Sequence, residues 1–265
     1  MAAASGDYVM FLDGDDYLKP DALERLTAQI ARDPADIVCF NGYINATEFP
    51  GGEMREEWVR GDKLPFGETL PAFRIFDELI RRGPSVNSTP MVWQRCYKRA
   101  FLEEHDLRFV PGRLHEDEEW TPRAFYFAAS AAVIDYSGYG YRRRAGSIMA
   151  TLGERNSEHL AADITGLCRF FAEHGFADAE TARPFIRALL IVFSWFVFSA
   201  LNNGLGSFAR GLYVKHRLYR IIAELPFYHR LALREKRYAF LARVALKFPA
   251  LYRLGTALRR RRTTV

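Results

Sequence analysis

An apolar run of β-prone residues, Tyr8–Leu12, begins seven residues into the chain and leads directly into Asp13-Gly-Asp-Asp16. A run without polar alternation predicts a strand that is buried on both faces, as in the middle of a parallel sheet. Pro20 then opens a helix, and residues 36–41 form a second short apolar segment. Strand, helix and strand in this order predict a βαβ unit and an α/β first half.

The rest of the first half alternates between helical and strand-like segments. Residues 45–68 are rich in Gly, Glu and Pro and indicate a loop or insertion. Helices are predicted over 70–82, 99–105 and 114–129, strands over 91–97 and 131–136, and a strand end with a loop over 139–144.

The charge is distributed unevenly along the chain. Residues 183–265 carry 17 Lys and Arg against two acids, a net +15, whereas residues 1–182 carry a net −10. Two parts with opposite charge indicate two roles and exclude a uniformly basic nucleic-acid binder. Three widely spaced cysteines, an odd number, do not indicate a disulfide framework or a zinc site, and they favour a reducing, cytoplasmic location.

The second half is helical in pattern, and we place the domain boundary between 1–152 and 153–265. Residues 188–201 contain no charge, but 14 residues are too few to span a bilayer, so a buried or interfacial helix is predicted. Residues 240–262 alternate apolar clusters with cations, which favours a segment lying on an anionic membrane surface. The alternative is a set of helices packed on the first domain with a solvated basic tail. No base-reading motif supports a nucleic-acid partner.

Three segments are candidates for chemistry. Asp13 and Asp15 follow the end of a predicted strand, where α/β sheets bind ligands, and would hold Mg²⁺ or Mn²⁺ together with a diphosphate. The alternative is a solvated acidic turn in which an Asp caps the helix. One carboxylate of the acidic helix start 115–120 is a candidate general base, and the alternative is a favourable interaction of these acids with the helix dipole. Arg142 and Arg144 would bind a diphosphate, or would simply form an exposed basic loop.

Taken together, these segments resemble the Asp-x-Asp region and the Glu-Asp motif of family 2 glycosyltransferases of the GT-A fold. The resemblance covers residues 5–150 and is carried by 6–20, 35–38, 92–102, 107–109, 116–117 and 141–148. It implies a Rossmann-related mixed sheet followed by an α-helical extension. It also implies transfer of a sugar from a nucleotide-sugar donor to a glycan or lipid-linked acceptor, as in bacterial capsular and exopolysaccharide synthesis.

The resemblance assigns roles to individual residues. Asp13 and Asp15 match the pair that holds the divalent metal and the donor diphosphate. Asp117 matches the acid that deprotonates the acceptor hydroxyl in an inverting displacement.

Further residues follow from the same resemblance. His115 and Glu116 would shape the acceptor pocket, and Arg142 and Arg144 would close over the nucleotide. Trp93 is a candidate for stacking on a sugar, with a place in the core as the alternative.

Family members normally carry further strands ahead of the Asp-x-Asp pair, whereas this chain has 12 residues before Asp13. We therefore expect a catalytic domain that lacks its N-terminal strands and binds nucleotide weakly. Two other functions remain open: a haloacid-dehalogenase-like phosphatase with Asp13 as nucleophile, and a non-catalytic membrane-surface module. The expected location is the cytoplasmic face of the cell membrane.

Overall fold

The structure is a computed structural model that describes residues 3–46, 55–58, 67–82, 91–143, 153–250 and 252. The chain divides into two compact units. Unit 1 comprises Met1–Pro111 and Glu116–Ala150, and unit 2 comprises Gly112–His115 and Thr151–Val265. Most of the insertion predicted over 45–68 lies outside the described residues.

Unit 1 is built on a mixed sheet of seven described strands. The strands follow the order β1-β6-β3-β7-β2, with β4 added to β3 and β5 to β7. The pair β3–β7 is parallel, and the other described pairs are antiparallel. The bounds are β1 Tyr8–Met10, β2 Tyr17–Leu18, β3 Ile37–Ala46, β4 Arg55–Trp58, β5 Thr69–Pro71, β6 Arg95–Lys98 and β7 Ser130–Arg143.

The helices of unit 1 confirm the predicted helices, most clearly α1 and α2, which have a strong apolar repeat at helical spacing. Their bounds are α1 Ala22–Arg32, α2 Ala72–Arg82, α3 Arg99–Glu104 and α4 Asp117–Phe127. Several strand predictions needed revision. The strand predicted over 36–41 extends to Ala46, β4 lies within the predicted loop 45–68, and β5 takes the place of the predicted helix start at 70. The segment 91–97 begins as a 3₁₀ turn, Val92–Gln94, before β6, and the strand predicted over 131–136 extends to Arg143.

The first apolar run forms β1, but the prediction of a central parallel strand was wrong. β1 lies at the end of the strand order and pairs antiparallel with β6. Tyr8 and Met10 pack against a core cluster on one side, and the ring of Phe11 lies 5.6 Å from that of Trp120. An apolar run indicates that both faces of a strand are covered, but it does not indicate which strands lie beside it.

Unit 2 is helical, as the pattern from residue 157 predicts. Its helices are α5 Glu154–His174, α6 Ala179–Asn202, α7 Gly206–Lys215, α8 Leu218–Ala223 and α9 Leu233–Lys247. Within the described residues, α6 is long and apolar enough to cross a membrane, yet 72% of its apolar stretch is buried by its neighbours. This burial is typical of the core helix of a helical unit, and the apolar segment 188–201 lies inside it.

Candidate functional site

The turn Asp13–Asp16 joins β1 to β2 in unit 1. The amide of Asp16 donates to the carbonyl of Asp13 at 3.1 Å, which closes the turn. β2 is paired with β7 in the register Tyr17 opposite Gly140. A Cβ at Gly140 would stand 2.3 Å from the Tyr17 ring, so only glycine lets this ring lie flat on β7. The acidic turn is therefore held against the sheet from its C-terminal side.

The side chain of Tyr139 ties the turn to β7. Its hydroxyl donates to Asp16 Oδ2 at 2.7 Å and accepts from the backbone amide of Asp13 at 3.1 Å. Burial, together with the adjacent carboxylates, raises the pKa of Tyr139, so the phenol stays protonated at neutral pH. Sequence analysis missed this residue. Its only signal was the short alternation Gly138-Tyr139-Gly140-Tyr141.

The carboxyl of Asp13 lies within electrostatic range of several other acids. Its pKa is raised, first by desolvation and then by the charges of Asp16 and Asp15. Glu116 contributes a further, smaller increase. The turn and the start of α4 are thus neighbours in space, although about 100 residues separate them in sequence.

Asp117 begins α4, and Glu116 precedes it at the N-cap. Burial raises the pKa of Asp117 to about 7, with Glu116 as the second cause and Asp13 as a smaller one. A hydrogen bond from its own backbone amide acts in the opposite direction. A carboxyl with a pKa near 7 both accepts and releases a proton at neutral pH, which is the property required of a general base.

Arg95 is a second residue that sequence analysis missed. Its side chain is buried, lies 5.3 Å from the ring centre of Phe125, and hydrogen-bonds the carbonyl of Met91. Its charge lowers the pKa of Asp117, so it partly offsets the effect of burial there. A buried guanidinium in an apolar strand carries no pattern that identifies it from sequence, because Arg is normally exposed.

His115 belongs to unit 2, and its ring is fixed there. Nε2 lies 3.0 Å from Asn156 Nδ2, and the ring packs edge-on against Trp195 with centroids 4.9 Å apart. Its backbone has a φ of +60°, a left-handed conformation that is uncommon for a residue with a Cβ. Burial, followed by the charge of His159, lowers the pKa of His115 to about 4. The ring is therefore neutral at pH 7.

The remaining predicted residues lie elsewhere. Trp93 is 7% exposed and stacks on Tyr139 at 4.2 Å, so it packs in the core, which was the alternative role considered for it. Arg142 lies near the end of β7, where the structure describes only its backbone. Arg144 lies outside the described residues.

The described residues contain no group of three or more His, Cys, Asp and Glu side chains arranged to hold a metal ion. Asp13 and Asp15 nevertheless fit the donor set of a hard cation that takes one or two protein carboxylates and completes its shell with phosphate oxygens and water. Burial is the first cause of the raised pKa of Asp13, and the charges of Asp16 and Asp15 add to it; a divalent cation would offset those charges.

The fold resembles that of a solved structure in outline. Residues 1–349 of Staphylococcus aureus TarS superpose with a TM-score of 0.51 at 20% identity, covering 96% of this chain and 68% of that chain. The same segment solved in complex with UDP gives a TM-score of 0.50 at 18% identity, covering 96% and 69%. At these identities the likeness concerns the fold, a mixed α/β sheet with a helical C-terminal region.

The sequence comparisons identify relatives of this chain more specifically than the likeness in fold does. Residues 1–104 match the profile described as "Glycosyl transferase family 2". The succinoglycan biosynthesis protein ExoO of Rhizobium meliloti is 30% identical over 186 residues, 67% of this chain and 50% of that protein. EpsH of Bacillus subtilis is 27% identical over 230 residues, 85% and 62%. The glycosyltransferase GlyA of Streptococcus pneumoniae is 29% identical over 174 residues, 65% and 24%.

The sequence matches define the class of protein, the glycosyltransferases, and the mixed α/β fold agrees with that class. The chain is a member of glycosyltransferase family 2. It spans between about a quarter and three-fifths of the length of the curated relatives named above.

Proposed function

We propose that this protein transfers a sugar from a nucleoside-diphosphate donor to a hydroxyl group of a growing glycan or a lipid-linked acceptor. One observation carries the proposal: the Asp13–Asp16 turn and Asp117 lie close enough in unit 1 for their charges to interact. A donor-binding acidic turn and a general base must be neighbours for one reaction to use both.

Each residue has a defined part in the proposed step. Asp13 and Asp15 would hold Mn²⁺ or Mg²⁺, and the bound cation would supply positive charge to the diphosphate leaving group. Asp117 accepts the proton of the acceptor hydroxyl as its oxygen attacks the anomeric carbon. The bond from that carbon to the diphosphate breaks, and the nucleoside diphosphate leaves with the electron pair, so the configuration inverts.

Two features around the acids support this assignment. The pKa of Asp117, about 7, suits proton transfer at neutral pH. Tyr139 holds the turn from the buried side, so the carboxylates of Asp13 and Asp15 need little reorganisation to bind a cation. We also propose that the mixed sheet is of the GT-A type and that Glu116, Arg142 and Arg144 contribute to binding of the substrates.

Binding of UDP is the direct test, since TarS has been solved with UDP. The full chain should bind UDP in the presence of Mn²⁺ and lose at least tenfold in affinity when the metal is chelated. Asp15→Ala should abolish the metal-dependent part. Asp7→Ala, an exposed carboxylate at the other end of β1, is the matched control and should bind as wild type. Metal-independent binding, or equal loss in both variants, would refute the assignment of the turn.

Release of UDP from UDP-sugars, with water or an added sugar as acceptor, tests the base. Asp117→Asn should bind UDP with the affinity of wild type. It should form UDP from the UDP-sugar about 10²–10⁴ times more slowly, the range for loss of a general base. A phosphatase with Asp13 as nucleophile predicts a different result: hydrolysis of p-nitrophenyl phosphate that Asp13→Asn abolishes and Asp117→Asn spares. A non-catalytic module predicts neither activity nor UDP binding.

A further inference from the structure

Helix α9 has two faces of different composition. The inner face contains Ala239, Ala242, Ala245 and Leu246, all of them buried, and packs mainly against α6. Glu235 also points inward, where it pairs with Arg187 of α6. The small alanine side chains let α9 approach α6 closely, and the packing of this inner face holds α9 in unit 2.

The outer face of α9 exposes large apolar side chains. Leu233 is 86% exposed, Phe240 58%, Leu241 51% and Phe248 48%. Their spacing of seven, one and seven residues places them along one side of the helix, opposite the alanines. Val214 at the end of α7 is also exposed, at 66%. Single exposed apolar residues are ordinary, but a continuous stripe of this kind marks an interaction surface.

Cations accompany this stripe. By helical spacing, the same outward arc of α9 carries Lys236, Arg237, Arg243 and Lys247 and no acidic residue. The Arg243 guanidinium lies 4.0 Å from the ring centre of Tyr219, which holds it beside the stripe. We call these apolar and basic residues of α9, together with Val214, the outer face.

A groove between α7 and α9 opens onto the outer face. Its volume is about 430 Å³, and aromatic and basic side chains line it together: Tyr213, Val214, Phe240, Arg243, Lys247 and Phe248. Arg210 donates to the carbonyls of Leu246 and Lys247 and so fixes the end of α9 against α7. The groove therefore has a defined shape in which apolar and cationic groups alternate.

We propose that the outer face docks on the surface of an anionic phospholipid bilayer. The apolar side chains would enter the boundary between headgroups and acyl chains, while the cations stay at the level of the lipid phosphates. A second copy of the chain fits poorly, because two outer faces in contact would oppose cation to cation. A nucleic acid would satisfy the cations but leave the exposed Phe and Leu side chains without apolar partners.

This proposal is independent of the proposed glycosyl transfer and places the protein peripherally on the cytoplasmic face of the cell membrane. The net charge of +15 over residues 183–265 adds long-range attraction to the same surface. It also gives a reason for the opposite charge of the two parts of the chain, because anionic lipid would repel the acidic first part and attract the second.

Co-sedimentation of the full chain with vesicles tests the proposal. The protein should bind vesicles of mixed phosphatidylcholine and phosphatidylglycerol, bind phosphatidylcholine alone much more weakly, and dissociate as salt is raised. Phe240→Ser should lower the partition coefficient about tenfold, and Lys247→Gln about fivefold. Leu233→Ser gives a second apolar test at a site too exposed to affect folding.

Matched controls come from unit 1. Leu23→Ser removes a 61% exposed leucine of α1, and Arg108→Gln removes an exposed cation; both should bind vesicles as wild type. Binding that ignores lipid charge, or that survives Phe240→Ser, Leu233→Ser and Lys247→Gln unchanged, would overturn the proposal. The proposal would also be overturned if these variants bound vesicles as wild type but had a lower molar mass at sedimentation equilibrium. The outer face would then join two copies of the chain.

Discussion

Among single residues, Tyr139 does the most to shape the candidate site. Its ring is buried and stacks on Trp93, while its hydroxyl hydrogen-bonds both ends of the Asp13–Asp16 turn. The same side chain thus belongs to the core and to the site. Because a buried aromatic ring has few rotamers, the geometry of the turn is tied to the packing of the sheet.

Tyr139→Phe keeps the ring and removes the hydroxyl. We expect the free energy of unfolding to fall by about 1 kcal/mol, the usual value of a partly buried hydrogen bond, and Mn²⁺-dependent UDP binding to weaken about fivefold. Tyr8→Phe is the control, because its hydroxyl makes a comparable bond to Ala35 at 2.7 Å away from the turn. Urea unfolding and UDP titration of both variants separate the two effects. Equal UDP affinity in the two variants would contradict the role of Tyr139.

The sequence suggests the acidic residues of the candidate site through short motifs, but it does not point to the residues that hold them in place. Asp13, Asp15 and Asp117 stand in short motifs whose residue types suit a cation and a base. Tyr139 and Arg95 act through the sheet, because the register of β7 against β2 and the burial of β6 bring them to their places. Contacts across more than 100 residues leave no local pattern in the chain.

At the scale of elements, the short strand β2 depends on one close approach. It has two residues, Tyr17 and Leu18, and it pairs only with Gly140 and Tyr139 of β7 among the described residues. The ring of Tyr17 occupies the space where any larger residue at position 140 would place its Cβ. The pairing of β2, and with it the position of the acidic turn, therefore depends on one steric condition, the absence of a Cβ at position 140.

Gly140→Ala should break that condition. The added Cβ would meet the Tyr17 ring at 2.3 Å, and we expect a loss of about 1–3 kcal/mol in the free energy of unfolding, as for other overpacked sites. Gly14→Ala, within the turn, has no atom within 4 Å of its Cβ position and should change stability by less than about 0.5 kcal/mol. Urea denaturation of the two variants provides the measurement. A large loss in Gly14→Ala with none in Gly140→Ala would be the opposite of what the structure requires.

The elements themselves differ in how far sequence could predict them. Helices α1 and α2 follow from apolar residues three and four apart, a signal contained within each segment. The place of β1 at the end of the strand order could not be derived in this way, because strand neighbours are chosen by the whole chain. The extension of β7 to Arg143 was hidden by its glycines, which usually weaken a strand.

For the whole molecule, His115 and Asp117 make opposite contributions to the pH dependence of stability. The folded pKa of His115 lies near 4, below its ordinary value of 6.5, so its stability contribution is present above pH 6.5 and is lost as pH falls towards 4. The folded pKa of Asp117 lies near 7, above its ordinary value of 3.8, so stability is lost as pH rises from about 4 through 7.

Single substitutions should separate these two contributions to the change of the free energy of unfolding with pH. Between pH 4 and 7, Asp117→Asn should make the free energy of unfolding rise more with pH than in wild type, and His115→Gln should make it rise less. We expect each difference to reach about 1–2 kcal/mol, since solvent screening reduces the full linkage value at these partly buried sites. Urea denaturation at several pH values measures both. Parallel pH profiles in wild type and both variants would contradict the shifted pKa values.

The bond between Tyr139 and Asp16 also has a kinetic consequence. It joins residues 123 apart in the chain, so the turn takes its final shape only after that long loop has closed and β7 has docked. Contacts of such large sequence separation slow folding. The acidic turn therefore cannot be complete before β7 has docked, and a nascent chain that has not yet produced β7 carries the Asp residues without the hydrogen bonds that hold them.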